Sequence, residues 1–395
     1  MSRIFLGAFG DPGHAFPMLA LGAALVARGH DVSLQTWEQW REPAARLGIG
    51  FAGAPEYQVW PTREKPLKPY AAAVLAARET LLQIEAFAPE AVVADILTPA
   101  PALAAELAGV PFSSLIPHVF PWMPSGFAPY SIGARLPRTR LGRELWRRTD
   151  RMIARGLEQG REEYNECRRR LGLPPLPYVH TALSRELTMI ATLPQLEYPR
   201  DWPAWTRVVG PLLWEPPGPS VAPPPGEEPV VLVAPSTSQD PERTLLRAAL
   251  AGLADAPVRV IASWNGELDP SVPIPGNAVV VPWLSYAAAM PSCDLVLCHG
   301  GHGTLARALV SGCPVVIVPA AGDMGENAAR VDRLTLGVRL PRRYGTARGV
   351  RLAVERALSR PRLREHARAV ARWAAAHDGP ATAAAEIERW LARRA

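Results

Sequence analysis

Cysteine is scarce in this chain, and long apolar runs are missing. The four cysteines form no C-x-x-C pair and have no histidine at zinc-finger spacing, so the sequence predicts neither a zinc module nor a disulfide framework. No run approaches the roughly 18 apolar residues that cross a bilayer. The N-terminus also lacks the basic region and long apolar stretch of a signal peptide. We therefore expect a cytoplasmic protein without an integral membrane segment.

Lysine is nearly absent too, since Lys65 and Lys68 are the only lysines among 43 basic residues. The formal net charge of +6 could suggest a nucleic-acid partner, but the arginines are dispersed and interleaved with glutamate on segments of helical periodicity. No basic stripe or recognition motif accompanies them. We expect no nucleic-acid partner and interpret the densest basic stretch, residues 135–151, as a solvated surface.

The length of 395 residues suits two domains, and the pattern of elements agrees. Short apolar runs alternate with helical patterns, which predicts parallel sheets. Residues 214–229 contain seven prolines and interrupt this rhythm, so we predict a semi-rigid linker there. The expected fold is α/β, with two doubly wound Rossmann-like domains facing a central cleft. The boundaries are 1–213, 230–377 and a final helix within 378–395.

A histidine follows the first apolar run, and an aspartate ends a later one. His14 lies in GAFGDPGHAFP, and Asp95 ends AVVAD. The carboxyl ends of neighbouring parallel strands share one sheet edge, where α/β proteins bind ligands. An aspartate on one ring nitrogen would prepare the other nitrogen to act as a general base. Alternatively, His14 could be solvated or cap the helix, and Asp95 could cap the next helix. The glycine-rich turn before His14 could also bind a dinucleotide, although its G-x-x-G-x-x-G spacing differs from the G-x-G-x-x-G of such sites.

The strongest motif is CHGGHGT, residues 298–304, which lies between an apolar run and a helical pattern. Its glycines allow a ligand to approach the backbone closely. Free N–H groups and the dipole at a helix start favour an anion such as a diphosphate. His299 could add a side-chain donor and Thr304 a hydroxyl. A purely structural turn is the alternative.

Three further strand ends carry polar or aromatic residues. Ser236 and Thr237 could contact phosphate or cap a helix. Trp283, followed by Leu284, could stack on a base or pack in the core. The segment AAGDMGENA supplies Asp323 and, further on, Asn327, which could bind sugar hydroxyls or serve as an ordinary polar loop. These residues follow the strand patterns in the same way as the glycine turn does.

Together and in this order, the segments resemble glycosyltransferase family 1, whose members have the GT-B fold and include bacterial natural-product and macrolide glycosyltransferases. The resemblance spans nearly the whole chain and is most specific over residues 283–327. The N-terminal half resembles the family through GHAFPMLALGAALVARGHDV, residues 13–32. It implies an inverting enzyme that uses a UDP- or TDP-sugar, needs no cofactor or metal, and folds its last helix, with Trp390, back onto the N-terminal domain.

The resemblance also implies roles for individual residues. It makes His14 the catalytic base and Asp95 its partner, and it places the donor base on Trp283. Asp323 would bind sugar hydroxyls. The diphosphate would be held by the residues of the glycine turn, His299, Gly301, Gly303 and Thr304.

Two segments depart from the family pattern. Ser285 and Tyr286 stand where a Pro-Gln pair is common, and Met324 follows Asp323 where glutamine is usual. Because methionine cannot donate the hydrogen bonds of an amide, a deoxysugar donor becomes an option.

The acceptor is expected to be small and hydrophobic, and aromatic residues of two long loops could line its pocket or simply pack beneath the loops: Trp60, Phe120, Trp122 and Phe127. A lipid-acceptor glycosyltransferase, a nucleotide-sugar epimerase and a non-catalytic auxiliary protein are the alternative functions. A homodimer is one option for the assembly.

Overall fold

The structure is a computed structural model that describes residues 1–55, 69–219, 221–236, 240 and 242–394. It has two parallel sheets, as the alternating pattern predicts. The strands are short, and most are buried on both faces, which explains their nearly continuous apolar sequences.

The first sheet has seven strands in the order β3-β2-β1-β4-β5-β6-β7. Its order reverses between β1 and β4, so the carboxyl ends of these two strands open a crevice at the sheet edge. The strands are β1 (Arg3–Gly7), β2 (Asp31–Thr36), β3 (Gly50–Gly53), β4 (Ala91–Asp95), β5 (Phe112–Ile116), β6 (Thr188–Ile190) and β7 (Thr206–Val208). The accompanying helices are α1 (Pro12–Ala27), α2 (Arg41–Arg46), α3 (Pro69–Phe87), α4 (Pro99–Leu107), α5 (Arg140–Arg147) and α6 (Asp150–Arg170).

The second sheet has six strands in the order β10-β9-β8-β11-β12-β13, with the same reversal between β8 and β11. The strands are β8 (Val230–Ala234), β9 (Arg259–Ser263), β10 (Ala278–Val281), β11 (Leu295–Cys298), β12 (Val315–Ile317) and β13 (Gly337–Arg339). The remaining helices are α7 (Thr244–Leu253), α8 (Tyr286–Ala289), α9 (His302–Val310), α10 (Met324–Leu334), α11 (Ala347–Leu358), α12 (Pro361–Ala375) and α13 (Gly379–Ala392).

Two helices that the periodicity predicts as continuous are each broken. The pattern over 140–171 divides into α5 and α6 near Thr149, whose hydroxyl donates to the carbonyl of Trp146 at 2.7 Å and so competes with the helix ladder. The pattern over 348–377 divides into α11 and α12, because Pro361 lacks an N–H and is accommodated at a helix start. The prediction of single helices was wrong at both places.

Three of the connections that join the two halves involve α13, the segment 214–219 and α10. Helix α13 packs on α1, and its Trp390, 2% exposed, donates through Nε1 to Glu186 at 2.8 Å. The segment 214–219 has no helix or strand and passes along the cleft, where Glu215 accepts from Ser285 at 2.6 Å. The third connection is Arg330 of α10, which is fully buried and reaches the first domain. Within the part of the chain that the structure describes, no helix is long and apolar enough to span a membrane.

Candidate functional site

His14 and Asp95 meet at the crevice of the first sheet. Asp95 ends β4, and His14 lies in the first turn of α1, which follows β1, so pairing of the two strands brings the residues together. His14 Nδ1 lies 2.9 Å from one carboxyl oxygen of Asp95. The other oxygen accepts the backbone N–H of Phe9 at 3.1 Å. The Asp95 side chain is 1% exposed and that of His14 is 15% exposed, so only the histidine reaches solvent.

This contact sets the chemistry of the imidazole. Burial alone would lower the pKa of His14, but the hydrogen bond and charge of Asp95, with smaller effects from Asp11 and Asp323, raise it above its usual value. An ionised carboxylate only accepts hydrogen bonds, so Nδ1 carries the ring hydrogen and Nε2 is left to take a proton. The pair therefore has the arrangement of a base with its orienting acid.

The glycine turn lies between β11 and α9, at the crevice of the second sheet. Gly300 adopts φ +90°, and a Cβ there would come within 2.6 Å of the Ile317 side chain. A Cβ at Gly301 would lie 2.4 Å from His299 Nε2, so the ring needs this glycine beside it. Asn327 is fully buried, and its amide nitrogen donates to the Gly300 carbonyl at 2.9 Å. The two glycines and Asn327 are thus required for the shape of the turn.

A cavity of about 190 Å³ connects the two crevices. Its first wall comes from α1, at Gly13 and Phe16, directly beside His14. The opposite wall comes from Trp283 and from the exposed start of α9, where backbone N–H groups have no helical partner. Among the described residues, no group of three His, Cys, Asp or Glu side chains could hold a metal ion.

Comparison with known proteins agrees with this geometry. Residues 247–390 match the family described as erythromycin biosynthesis protein CIII-like, C-terminal domain. The chain is 29% identical to 4'-demethylrebeccamycin synthase of Lentzea aerocolonigenes, over 98% of the chain and 99% of that protein. The chain is a glycosyltransferase with the GT-B fold.

Solved structures share the whole architecture. The calicheamicin glycosyltransferase CalG4 superimposes on this enzyme with a TM-score of 0.74 at 25% identity, covering 100% of the chain and 99% of CalG4. The glycosyltransferase VinC, solved in complex with dTDP, gives a TM-score of 0.72 at 18% identity and covers 99% and 100%. The expected GT-B fold is confirmed.

Most of the residues predicted to bind the donor surround the cavity of the enzyme. Trp283 is 38% exposed and lines it, as do His299, Gly301, Gly303 and Thr304. Leu284 also lines the cavity but is only 2% exposed, so it contributes mainly to packing. Ser236 is buried near the end of β8, and Thr237 lies outside the described residues.

Two donor residues have contacts that refine their expected roles. The amide nitrogen of Asn327 is bonded to the glycine turn, so this side chain shapes the turn, and its contact with a sugar hydroxyl stays a prediction. His299 was expected to add a donor. Its Nδ1 lies 3.2 Å from the Ala234 carbonyl, which can only accept, and burial lowers its pKa. In the neutral ring Nε2 therefore offers a lone pair, and it becomes a donor only on protonation.

The aromatic residues predicted to contact the acceptor are only partly described. Phe120 is 1% exposed and packs among Trp122, Trp202 and Trp205, so its ring belongs to the core rather than to a pocket wall. Trp122 and Phe127 are half-buried. Trp60 lies outside the described residues. An acceptor role for Trp122 and Phe127 stays a prediction.

Two residues at the site were not predicted from the sequence. His118 lies two residues beyond the end of β5, and its ring centroid lies 6.4 Å from that of His14. The rule that polar residues at strand ends face the cleft would have found it. Arg307 lines the cavity from α9. Burial lowers the pKa of its guanidinium, and the negative charge of Glu215 opposes this effect. Its helical pattern alone gave no such signal.

Proposed function

We propose that this enzyme is an inverting glycosyltransferase that moves a sugar from a UDP- or TDP-linked donor to a hydroxyl of a small hydrophobic natural product. The observation that carries the proposal is that the His14–Asp95 pair adjoins the cavity wall formed by Gly13 and Phe16, while the glycine turn forms the opposite wall. A base on one wall and an anion site on the other suit in-line displacement at the carbon between them. The relatives, named as natural-product glycosyltransferases, favour the same acceptor class.

In this mechanism His14 Nε2 removes the proton of the acceptor hydroxyl as its oxygen attacks the anomeric carbon. The bond from that carbon to the diphosphate oxygen breaks, so the configuration inverts and the nucleoside diphosphate leaves with the electron pair. Asp95 stabilises the imidazolium that forms, as the raised pKa of His14 already indicates. The proton is lost to solvent when the product leaves.

The leaving diphosphate would rest at the start of α9. Three glycines in the turn expose backbone N–H groups there, and the helix dipole adds partial positive charge. The negative charge of the diphosphate would also favour protonation of His299, which would make Nε2 a donor. These groups take the place of a metal ion in the proposal. The related fold of VinC was solved in complex with dTDP, which supports a nucleoside diphosphate as the leaving group.

The test is transfer by the full-length enzyme from UDP-glucose and TDP-glucose to a panel of phenolic and polyketide alcohols, with the product anomer assigned by NMR. We expect a β-linked product from these α-linked donors. His14→Ala should lower kcat by at least about a thousandfold, while the Kd for the nucleoside diphosphate stays within twofold. A retained anomeric configuration, or an active His14→Ala enzyme, would refute the mechanism.

The same assay separates the alternative functions. An epimerase would convert the donor sugar with no acceptor present. A lipid-acceptor enzyme would transfer sugar only to acceptors in vesicles and would sediment with them. Transfer to a dissolved aglycone, with no donor isomerisation, is the result that we expect.

A further inference from the structure

His118 is a second imidazole at the catalytic crevice. It follows β5, which neighbours β4 in the sheet. Its ring meets that of His14 nearly edge-on, at an interplanar angle of 78°, and stacks on Tyr130 with centroids 6.2 Å apart. Asp323, from the second domain, lies close enough for its charge to influence His14, His118 and Tyr130. Side chains of both domains thus converge beside the proposed base.

The hydrogen on the His118 ring has a fixed place. Nδ1 lies 2.8 Å from the carbonyl oxygen of Val119 and 3.3 Å from the hydroxyl of Tyr130. Since a carbonyl only accepts, Nδ1 carries the hydrogen. Burial lowers the pKa of His118, and the neighbouring His14 acts in the same direction, whereas Asp323 opposes them. The ring is therefore neutral near pH 7, and Nε2 is a hydrogen-bond acceptor.

The donor cavity adjoins His118. Pro117, next to His118 in the chain, lines the cavity together with the start of α9. The loop after Tyr130 also touches the loop of Asp323, since a Cβ on Gly133 would lie 2.4 Å from the carbonyl oxygen of Gly325. A sugar that extends from the diphosphate to His14 would therefore come close to His118 and to the segment that carries Asp323.

We propose that His118 binds the transferred sugar, accepting a hydrogen bond from one sugar hydroxyl through Nε2 while Asp323 accepts from another. This inference rests on the proposed function and adds a donor contact from the N-terminal domain. Neither the neutral Nε2 nor a carboxylate can donate. The sugar must therefore donate from two positions, so the enzyme selects donors that keep at least two hydroxyls, or a protonated amine, on this side of the ring.

A matched pair of variants tests the contact. His118→Asn places an amide nitrogen near the position of Nδ1, where it can still donate to Val119, but it has no acceptor at the position of Nε2. His118→Gln places its amide group near Nε2, where it can accept. Binding of TDP, UDP, TDP-glucose and UDP-glucose to the full-length enzymes is measured by titration calorimetry. Loss of one hydrogen bond to the sugar should weaken binding by roughly tenfold.

For His118→Asn we expect the Kd of the sugar nucleotides to rise about tenfold while the Kd of TDP and UDP stays within twofold. For His118→Gln we expect a rise of less than threefold. An equal loss for nucleotides and sugar nucleotides would overturn the proposal, because His118 would then support only the fold. Unchanged binding of the sugar nucleotides together with a raised KM for the acceptor would also overturn the proposal. If the wild-type enzyme binds neither nucleotide, the proposed function itself fails.

Discussion

Replacing Asp95 with asparagine gives a sharp test of the catalytic pair because the structure predicts how the amide must turn. The backbone N–H of Phe9 donates to one Asp95 oxygen at 3.1 Å, so the single amide oxygen of asparagine should take that place. The amide nitrogen would then face His14 Nδ1, where the carboxylate now accepts at 2.9 Å. Since that nitrogen donates, Nδ1 would become an acceptor and the ring hydrogen would move to Nε2.

The expected loss is large because the base would then carry its hydrogen on the wrong nitrogen. The equivalent change in a serine-protease triad lowers kcat by about 10⁴-fold, or about 5 kcal/mol in activation free energy. The pH dependence should change as well. Asp95 raises the pKa of His14, and the base must be neutral, so the wild-type rate should fall on acidification at a pH above about 6.5. Without the Asp95 charge this acid limb should move to lower pH.

The measurement is kcat against pH for glycosyl transfer, with thermal unfolding and nucleotide binding as checks on the fold. Asp11→Asn is the matched control, because Asp11 also raises the pKa of His14 but makes no side-chain cap hydrogen bond. It should shift the acid limb slightly downward and leave kcat within a few-fold. If the Asp95→Asn enzyme keeps kcat within tenfold and the acid limb of its pH profile does not move, His14 oriented by Asp95 is not the catalytic base.

Two further predictions concern the turn and the buried charges. The added Cβ of Gly303→Ala meets no atom within 4 Å, so this variant should match or exceed wild-type thermal stability. It should nevertheless lose at least tenfold in TDP affinity if the diphosphate lies there. Gly300→Ala should instead be destabilised, because Gly300 has φ +90° and a Cβ there would lie 2.6 Å from another side chain. Undiminished TDP binding by Gly303→Ala would place the diphosphate elsewhere. Arg330→Met should lower the free energy of unfolding by about 3–5 kcal/mol, because it removes the arginine paired with buried Glu326 and leaves Glu197 with only Arg200. Arg351→Met, which breaks an exposed pair, should cost at most about 0.5 kcal/mol by the same denaturation assay.

The sequence predicted well where neighbouring residues fix the structure. The strand, turn and helix around CHGGHGT occur as expected. The errors came where a local pattern was ambiguous. The charged periodicity over 140–171 continues through Thr149, and only the hydrogen bonding of the folded chain shows the break.

Residues that act across the domains could not be found in this way. Arg330 lies in an ordinary helical pattern, E-N-A-A-R, and its pairing with Glu326 is a local i, i+4 contact. Its second partner, Glu197, lies 133 positions earlier in the chain, and its guanidinium also lies 4.0 Å from the centre of the Tyr198 ring. Nothing in either segment specifies the other, since their meeting depends on how the two sheets pack.

The sequence by itself therefore determined the two parallel sheets, the glycine turn, and the candidacy of His14 and Asp95, because backbone freedom and apolar periodicity are properties of short segments. Only the tertiary structure decided that Arg330 bridges the domains, that Asn327 supports the turn, and that Phe120 belongs to the core. Those outcomes depend on which distant segments share one space, and packing of whole elements, not local preference, sets that.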